Sequence, residues 1–222
     1  MKLLSVNVSL PKQVPYQGKI ITTGIFKEPV SDRVMVHALN VQGDGQADRK
    51  VHGGRDMAVY AYPFDHYKFW EGSLGRSGFP FGQFGENLTV EGLSEKTVRV
   101  GDVFRVGGAL LQATQPRTPC YKLALRMGEG PDFLRRFLDS GRLGFYLRVI
   151  QEGEIGAGDA IECVDTDGGA VTIAEFIHIY LHEKHDPDSL RRVLASRDLG
   201  EAWRIYLEKM LDKAEHTPDP GG

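Results

Sequence analysis

The chain has 222 residues, of which 41% are hydrophobic and 26% charged, with a formal net charge of −3 at pH 7. That length buries a sizeable core, and so ordinary a composition excludes a disordered or coiled-coil chain. The slight acidity gives no reason to expect general nucleic-acid binding, and no apolar run approaches the roughly 20 residues of a membrane-spanning helix.

Residues 1–10 alternate apolar and polar side chains and lack a small-residue cleavage site, so they read as a strand and not as a secretion signal. Up to residue 168, glycine and proline punctuate short alternating runs, which predict strands at 2–10, 18–26, 34–36, 58–62, 88–90, 103–106, 110–114, 145–150 and 160–164. Helices are predicted at 63–71 and 131–140, each opened by a proline, and Gly107-Gly108 reads as a hairpin turn. Past Gly169 the period becomes helical. Thr172 caps 173–182, Asp188 or Ser189 opens 190–195, and 199–211 repeats Leu199, Trp203, Leu207 and Leu211 near every fourth position. The expected organisation is a mainly β domain with some helix over 1–168, a three-helix domain over 169–214, and a disordered Pro/Gly-rich tail over 215–222.

Three segments carry chemistry. The first runs from Gly43 to Asp56 and concentrates glycine, acid, base and imidazole without apolar periodicity. Its Gly53-Gly54 pair lets backbone N–H groups approach an anion that Lys50, His52 and Arg55 would neutralise; a polar surface hairpin is the plainer reading. The second, Phe84-Gly85-Glu86-Asn87-Leu88, offers a carboxylate and an amide that either meet a polar ring edge or hold a turn. The third is Gln115 to Lys122, where Arg117 and Lys122 bracket Cys120 and Pro116 and Pro119 stiffen the backbone. A thiol acts as its thiolate, whose ordinary pKa of about 8.5 falls beside cations, and a thiolate suits a soft metal; most unpaired cysteines, by contrast, are small buried hydrophobes.

Taken together, these segments and Gly101-Asp102 resemble the MOSC family (molybdenum cofactor sulfurase C-terminal domain), in its bacterial YiiM-like branch. The resemblance covers nearly the whole chain, since that branch also carries a small C-terminal three-helix (3-alpha) domain. It departs at Arg55, where similar sequences often have proline. The resemblance implies a closed, bent β-barrel of the pyruvate-kinase-barrel type that binds the molybdenum cofactor, a pterin dithiolene (molybdopterin) bearing a phosphate. It implies Cys120 as the catalytic molybdenum ligand, and Lys50, His52, Gly53, Gly54, Arg55, Glu86, Asn87, Arg117, Thr118 and Lys122 as cofactor contacts. The activity implied is reduction of N-hydroxylated compounds (hydroxylaminopurines, amidoximes, hydroxylamines) to amines, in the cytoplasm. No second redox motif is visible, so the expected partners are a small N-hydroxylated substrate and a separate electron-donor protein, with neither membrane nor nucleic acid. Two alternatives stay open: a persulfide or cofactor carrier acting through Cys120, and an interaction module acting through the three-helix domain.

Other residues are read as scaffold. Glu175, His178 and His182 share a helical face, with His185 following, but Ile179 stands where an H-E-x-x-H metal motif needs glutamate. Cys163 lies in strand-like alternation without adjacent cations and is read as structural, while Phe176 and Trp203 fit apolar stripes. Two cysteines with no C-x-x-C argue against a disulfide framework, an iron–sulfur cluster or a zinc ribbon.

Overall fold

The computed structural model describes residues 1–45 and 53–216. Strand β1 (Lys2–Val8) buries Leu3 and Val6 and ends two residues before the predicted limit. It ends there because the Ser9 N–H donates to Asp44 Oδ1 (2.9 Å) instead of to a strand partner. Strands β2 (Lys12–Tyr16) and β3 (Lys19–Thr23) form a separate hairpin that turns through Gln17 and Gly18, both at positive φ, where one strand was expected at 18–26. There follow β4 (Glu28–Val30), β5 (Val34–His37), β6 (Asn40–Val41), β7 (Val59–Pro63), β8 (Leu88–Glu91), β9 (Val103–Val106), β10 (Ala109–Pro116), β11 (Phe145–Gln151), β12 (Gly153–Ile155) and β13 (Ile161–Asp165). The helices are α1 (Asp65–Leu74), α2 (Tyr121–Met127), α3 (Asp132–Asp139), α4 (Ile173–His182), α5 (Pro187–Leu194) and α6 (Glu201–His216), and a 3-10 turn spans Arg55–Met57. The fold is therefore mixed β with α.

An eight-stranded sheet runs β13-β9-β10-β11-β7-β8-β1-β4. Its pairs are antiparallel except β7–β8, which α1 connects. The expected closed barrel does not form. The sheet curls far enough for the Ile161 N–H to reach Met1 O (3.0 Å) and for Lys2 to bridge Ala160. β8 pairs along β1 and β4 pairs with Val6 to Val8, while the start of β1 meets residues 158–161 through a lone bridge, so no continuous ladder joins β13 to β1.

Strand β7 is buried at every position. Its two tyrosines remain compatible with the core because their hydroxyls donate to carbonyls, Tyr60 to Leu143 O (2.7 Å) and Tyr62 to Arg142 O (3.1 Å). Helix α2 was not predicted. It buries Leu123, Ala124 and Met127 and stops at Gly128, whose φ of 66° closes the helix in the left-handed region.

The last three helices pack where the sequence places them, with Phe176 and Trp203 meeting edge to face at 4.9 Å. Thr172 caps α4 by accepting from the Glu175 N–H (3.1 Å). The cap of α5 is Asp186 and not Asp188 or Ser189, because Pro187 takes the first helical position. Glu215 and His216 continue α6, and residues 217–222 of the predicted tail lie outside the described residues.

Asp56 ties α6 to the sheet. One carboxylate oxygen meets Arg148 Nη2 (2.7 Å), and the other accepts from the Glu201 N–H (2.8 Å) at the start of α6. Asp56→Ala should cost about 1–2 kcal/mol, the sum of a lost cap and a partly buried ion pair, read as a lower denaturant midpoint. No helix among the described residues is long and apolar enough to cross a membrane.

Candidate functional site

Strand β10 runs to Pro116, and the Arg117 N–H then donates to Gly144 O (3.3 Å), holding the exit from the sheet. Thr118 is exposed, Pro119 redirects the chain, and Cys120 takes extended geometry (φ −125°, ψ 167°) as the cap residue of α2. The segment thus delivers a partly exposed thiol to the head of a helix whose far side is anchored in the core.

Cys120 opens on a cavity of about 110 Å³. Its lining includes Thr23 at the end of β3, Gly24 and Ile25 just after it, and Asp44 and Gly45. These two segments approach backbone to backbone: a Cβ on Gly24 would lie 2.5 Å from Gly45 O. Met57, Ala58, Tyr60, Tyr146 of β11, Gly85 and Asn87 also line it.

The predicted site residues divide. Asn87, Arg117, Cys120 and Lys122 all line the cavity. Gly53, Gly54 and Arg55 do not line it; the same segment contributes Met57 and Ala58 instead. Lys50 and His52 lie outside the described residues. Thr118 points away into solvent. Glu86, expected to contact a cofactor, is fully buried between its cavity-lining neighbours and serves the turn. Its carboxylate accepts from the Tyr67 hydroxyl, the Gly82 and Phe84 N–H groups (3.0 Å each) and Thr89 Oγ1 (2.9 Å). Burial pushes this carboxyl above the usual range, while the Tyr67, backbone and Thr89 hydrogen bonds pull it down.

Among the lining residues not anticipated as contacts, four carry a charged or phenolic side chain: Lys27, Asp44, Tyr60 and Tyr146. Lys27 and Asp44 form a buried ion pair, and Asn87 Nδ2 donates to the other Asp44 oxygen (3.0 Å). Burial holds the Lys27 ammonium below its ordinary pKa, although Asp44 favours its charge. Asp44 lay within the polar segment already singled out, whereas Lys27 had no local signal and the two tyrosines looked like core.

Arg117 dominates the electrostatics. It is buried, its guanidinium carbon sits 4.9 Å from the Tyr60 ring centroid and 5.9 Å from that of Phe137, and Nη1 has no hydrogen-bond partner among the described residues. Burial opposes its charge, but Tyr60, Tyr146 and Cys120 together raise its pKa. Burial likewise raises both tyrosines, so at neutral pH they stay protonated. Asp44 already neutralises Lys27, so Arg117 and half-buried Lys122 leave the cavity with a cationic excess beside a thiol. A buried guanidinium nitrogen without a partner calls for an acceptor, and an anionic group meets that need.

Cys163 is exposed on the edge strand β13, its Sγ 3.4 Å from Asp165 O, so it is not packed as expected. His178 pairs with Glu183 (3.1 Å), and no cluster of three metal-ligating side chains occurs among the described residues.

The architecture is thus a curled β-sheet that sets one cysteine beside buried cations, followed by three packed helices. The chain belongs to the MOSC domain family: the MOSC domain matches residues 48–162, and the YiiM-like 3-alpha helix domain matches 171–214. It is 40% identical over 211 residues to the uncharacterized protein YflK of Bacillus subtilis, covering 95% of each. It is 36% identical over 202 residues to protein YiiM of Escherichia coli, covering 87% of this chain and 89% of that one. The crystal structure of YiiM from Geobacillus stearothermophilus superposes with a TM-score of 0.80 at 36% identity, over 95% of this chain and 98% of that one.

Proposed function

We propose that this chain binds the molybdenum cofactor through Cys120 and reduces N-hydroxylated compounds to amines, working in the cytoplasm with a separate electron donor. The observation that carries the reading is the pairing, on one cavity, of a cysteine with a buried guanidinium whose Nη1 has no partner among the described residues. Those residues fit the group: a thiolate suits a soft metal–sulfur centre, and Arg117 and Lys122 suit its anionic parts. A protein of Gibberella moniliformis named reductase gives further support; it is 35% identical over 166 residues, which are 73% of this chain but 29% of that protein.

The overall change is R–NH–OH + 2 e⁻ + 2 H⁺ → R–NH₂ + H₂O: the N–O bond breaks and both fragments gain hydrogen. The cofactor supplies the two-electron chemistry, with electrons delivered by a partner redox protein. The chain's own residues bind and orient. With the cofactor bound, Cys120 would ligate its metal and Arg117 and Lys122 would hold its anionic oxygens, while Tyr60 and Tyr146, which line the same cavity, stay protonated. The Asp44–Asn87 contact ties together two segments of the cavity lining.

The test is elemental and kinetic. Protein expressed with molybdate should contain molybdenum and pterin, and with dithionite-reduced methyl viologen it should reduce 6-hydroxylaminopurine. Absence of molybdenum together with one extra sulfur on Cys120 by mass spectrometry would replace this reading with a persulfide carrier. Arg117→Met should lower bound pterin by about tenfold, the discrimination typical of one charge-assisted contact. Its melting temperature should stay near that of the wild type, because exchanging a desolvated charge for an apolar side chain is often neutral.

A further inference from the structure

A second cavity, of about 450 Å³ against about 110 Å³ for the one beside Cys120, shares no lining residue with it. Ligand sites commonly measure about 300–1,000 Å³ and favour the junctions between domains. This cavity lies at such a junction. Ala174 and Ile177 of α4 belong to the 3-alpha helix domain, and its other lining residues fall within the MOSC match. Backbone bonds hold α4 in place there: the Ala174 N–H donates to Glu95 O (2.7 Å) and the Ile173 N–H to Val98 O (2.8 Å).

The charged groups of this cavity are unevenly paired. Glu95 is buried and satisfied: His66 Nε2 lies 3.1 and 2.8 Å from its two oxygens, and the Gly144 N–H donates to Oε1 (2.7 Å). Lys96 and Arg142 have no ion-pair partner among the described residues, and the remaining lining carboxylate is the exposed Asp65. With Glu95 matched, the two cations outnumber the one carboxylate.

Arg142 is also held in one orientation. Its guanidinium carbon lies 3.8 Å from the centroid of the Phe69 ring, and Nη1 donates to Ser140 O (3.2 Å). These contacts set the plane of the fork and leave its other donors available. A guanidinium held in that way matches the two oxygens of a carboxylate. Phe69, Ala174 and Ile177 add apolar surface to the same lining, which suits a hydrocarbon body.

We propose that this cavity binds an organic carboxylate with an apolar body, with Arg142 taking the carboxylate and α4 supplying part of the apolar lining. The site is independent of the molybdenum reading, and it gives the three-helix domain a part in ligand binding.

The probes are 2-naphthoate and its neutral counterpart 2-naphthamide, titrated calorimetrically into wild type, Arg142→Gln, Lys96→Gln and Arg117→Met. Wild type should bind 2-naphthoate at least about tenfold more tightly than 2-naphthamide, the scale of one charge-assisted hydrogen bond. Arg142→Gln should abolish that preference at an unchanged melting temperature, and Lys96→Gln should reduce it. Arg117→Met should bind 2-naphthoate as wild type does, because Arg117 lines the other cavity. Equal affinity of wild type for the two probes overturns the proposal, as does no binding of 2-naphthoate at millimolar concentration. Binding lost in Arg117→Met but kept in Arg142→Gln overturns it too, by moving the ligand to the Cys120 cavity. If Arg142→Gln melts early, the exposed Lys96 decides: a preference that Lys96→Gln leaves untouched sinks the proposal.

Discussion

Cys120→Ser protein, expressed with molybdate, is expected to fold as well as the wild type yet lose its molybdenum and at least about 100-fold of its reductase activity. The magnitude follows from metal sites in general, where groups that merely orient a ligand are worth about 10–100-fold, so removing the ligand costs no less. The intact fold follows from local geometry. Cys120 occupies the cap position of α2 but makes no side-chain capping hydrogen bond. Serine is among the best residues for that position, because its hydroxyl can accept from the orphan N–H groups of the first turn. The substitution therefore leaves the helix neutral or firmer while exchanging a soft sulfur donor for a hard oxygen. Elemental analysis and a thermal melt, made on the same preparation, separate the two effects. A serine variant that keeps both metal and activity would show that Cys120 is not the ligand. A variant that loses metal only because it melts early would show a structural role instead.

The thiol was legible because its neighbours are polar and irregular where a core strand would be apolar and periodic: Arg117, Thr118, Pro119 and Lys122 leave no packing pattern to hide it. Arg117 itself was legible as a cation but not as a buried one, since the tyrosines that cover it come from β7 and β11. Lys27 shows the other limit. Its partner Asp44 is distant in the chain, and only the close backbone contact between Gly24 and Gly45 brings their segments together. The three helices of the C-terminal unit were legible as helices because each carries a 3.6-residue stripe; the Thr172-capped α4 was read to the residue, whereas α5 starts earlier, at Pro187, and α6 runs on to His216. Closure of the barrel was not readable from strand patterns. The two ends of the sheet meet only in a lone bridge, Lys2 to Ala160, with backbone bonds from Met1 and Leu3 to residues 158–161, a link too short to leave an alternating pattern. Helix α2 escaped for a similar reason: seven residues hold barely two turns of periodicity.

Glu86→Ala is expected to destabilise the protein by about 3–5 kcal/mol, the range for stripping the acceptor from a buried, fully satisfied polar network. Four donors converge on that carboxylate: the Tyr67 hydroxyl, the N–H groups of Gly82 and Phe84, and the Thr89 hydroxyl. With alanine in place, all four are buried without an acceptor, in a turn that Gly82 and Gly85 already hold at positive φ. The same turn sets Gly85 and Asn87 against the cavity, so the variant should lose the site along with stability. Glu86→Gln is the graded control. Its amide oxygen can serve the three donors that meet Oε1, but its NH₂ then faces the Phe84 N–H, so a smaller loss of about 1–2 kcal/mol is expected. The pH dependence separates charge from shape. Burial raises the Glu86 carboxyl in the folded state, so the native protein holds that proton more tightly than the unfolded chain does. Its contribution to stability is present below the ordinary glutamate value of about 4.3 and is lost as pH rises through the native value. Glutamine carries no such proton. The stability advantage of wild type over Glu86→Gln, measured by urea unfolding across pH, should therefore be widest in acid and narrow toward neutrality. A gap that widens with pH instead would mean that the four donors outweigh burial and hold Glu86 as a carboxylate throughout.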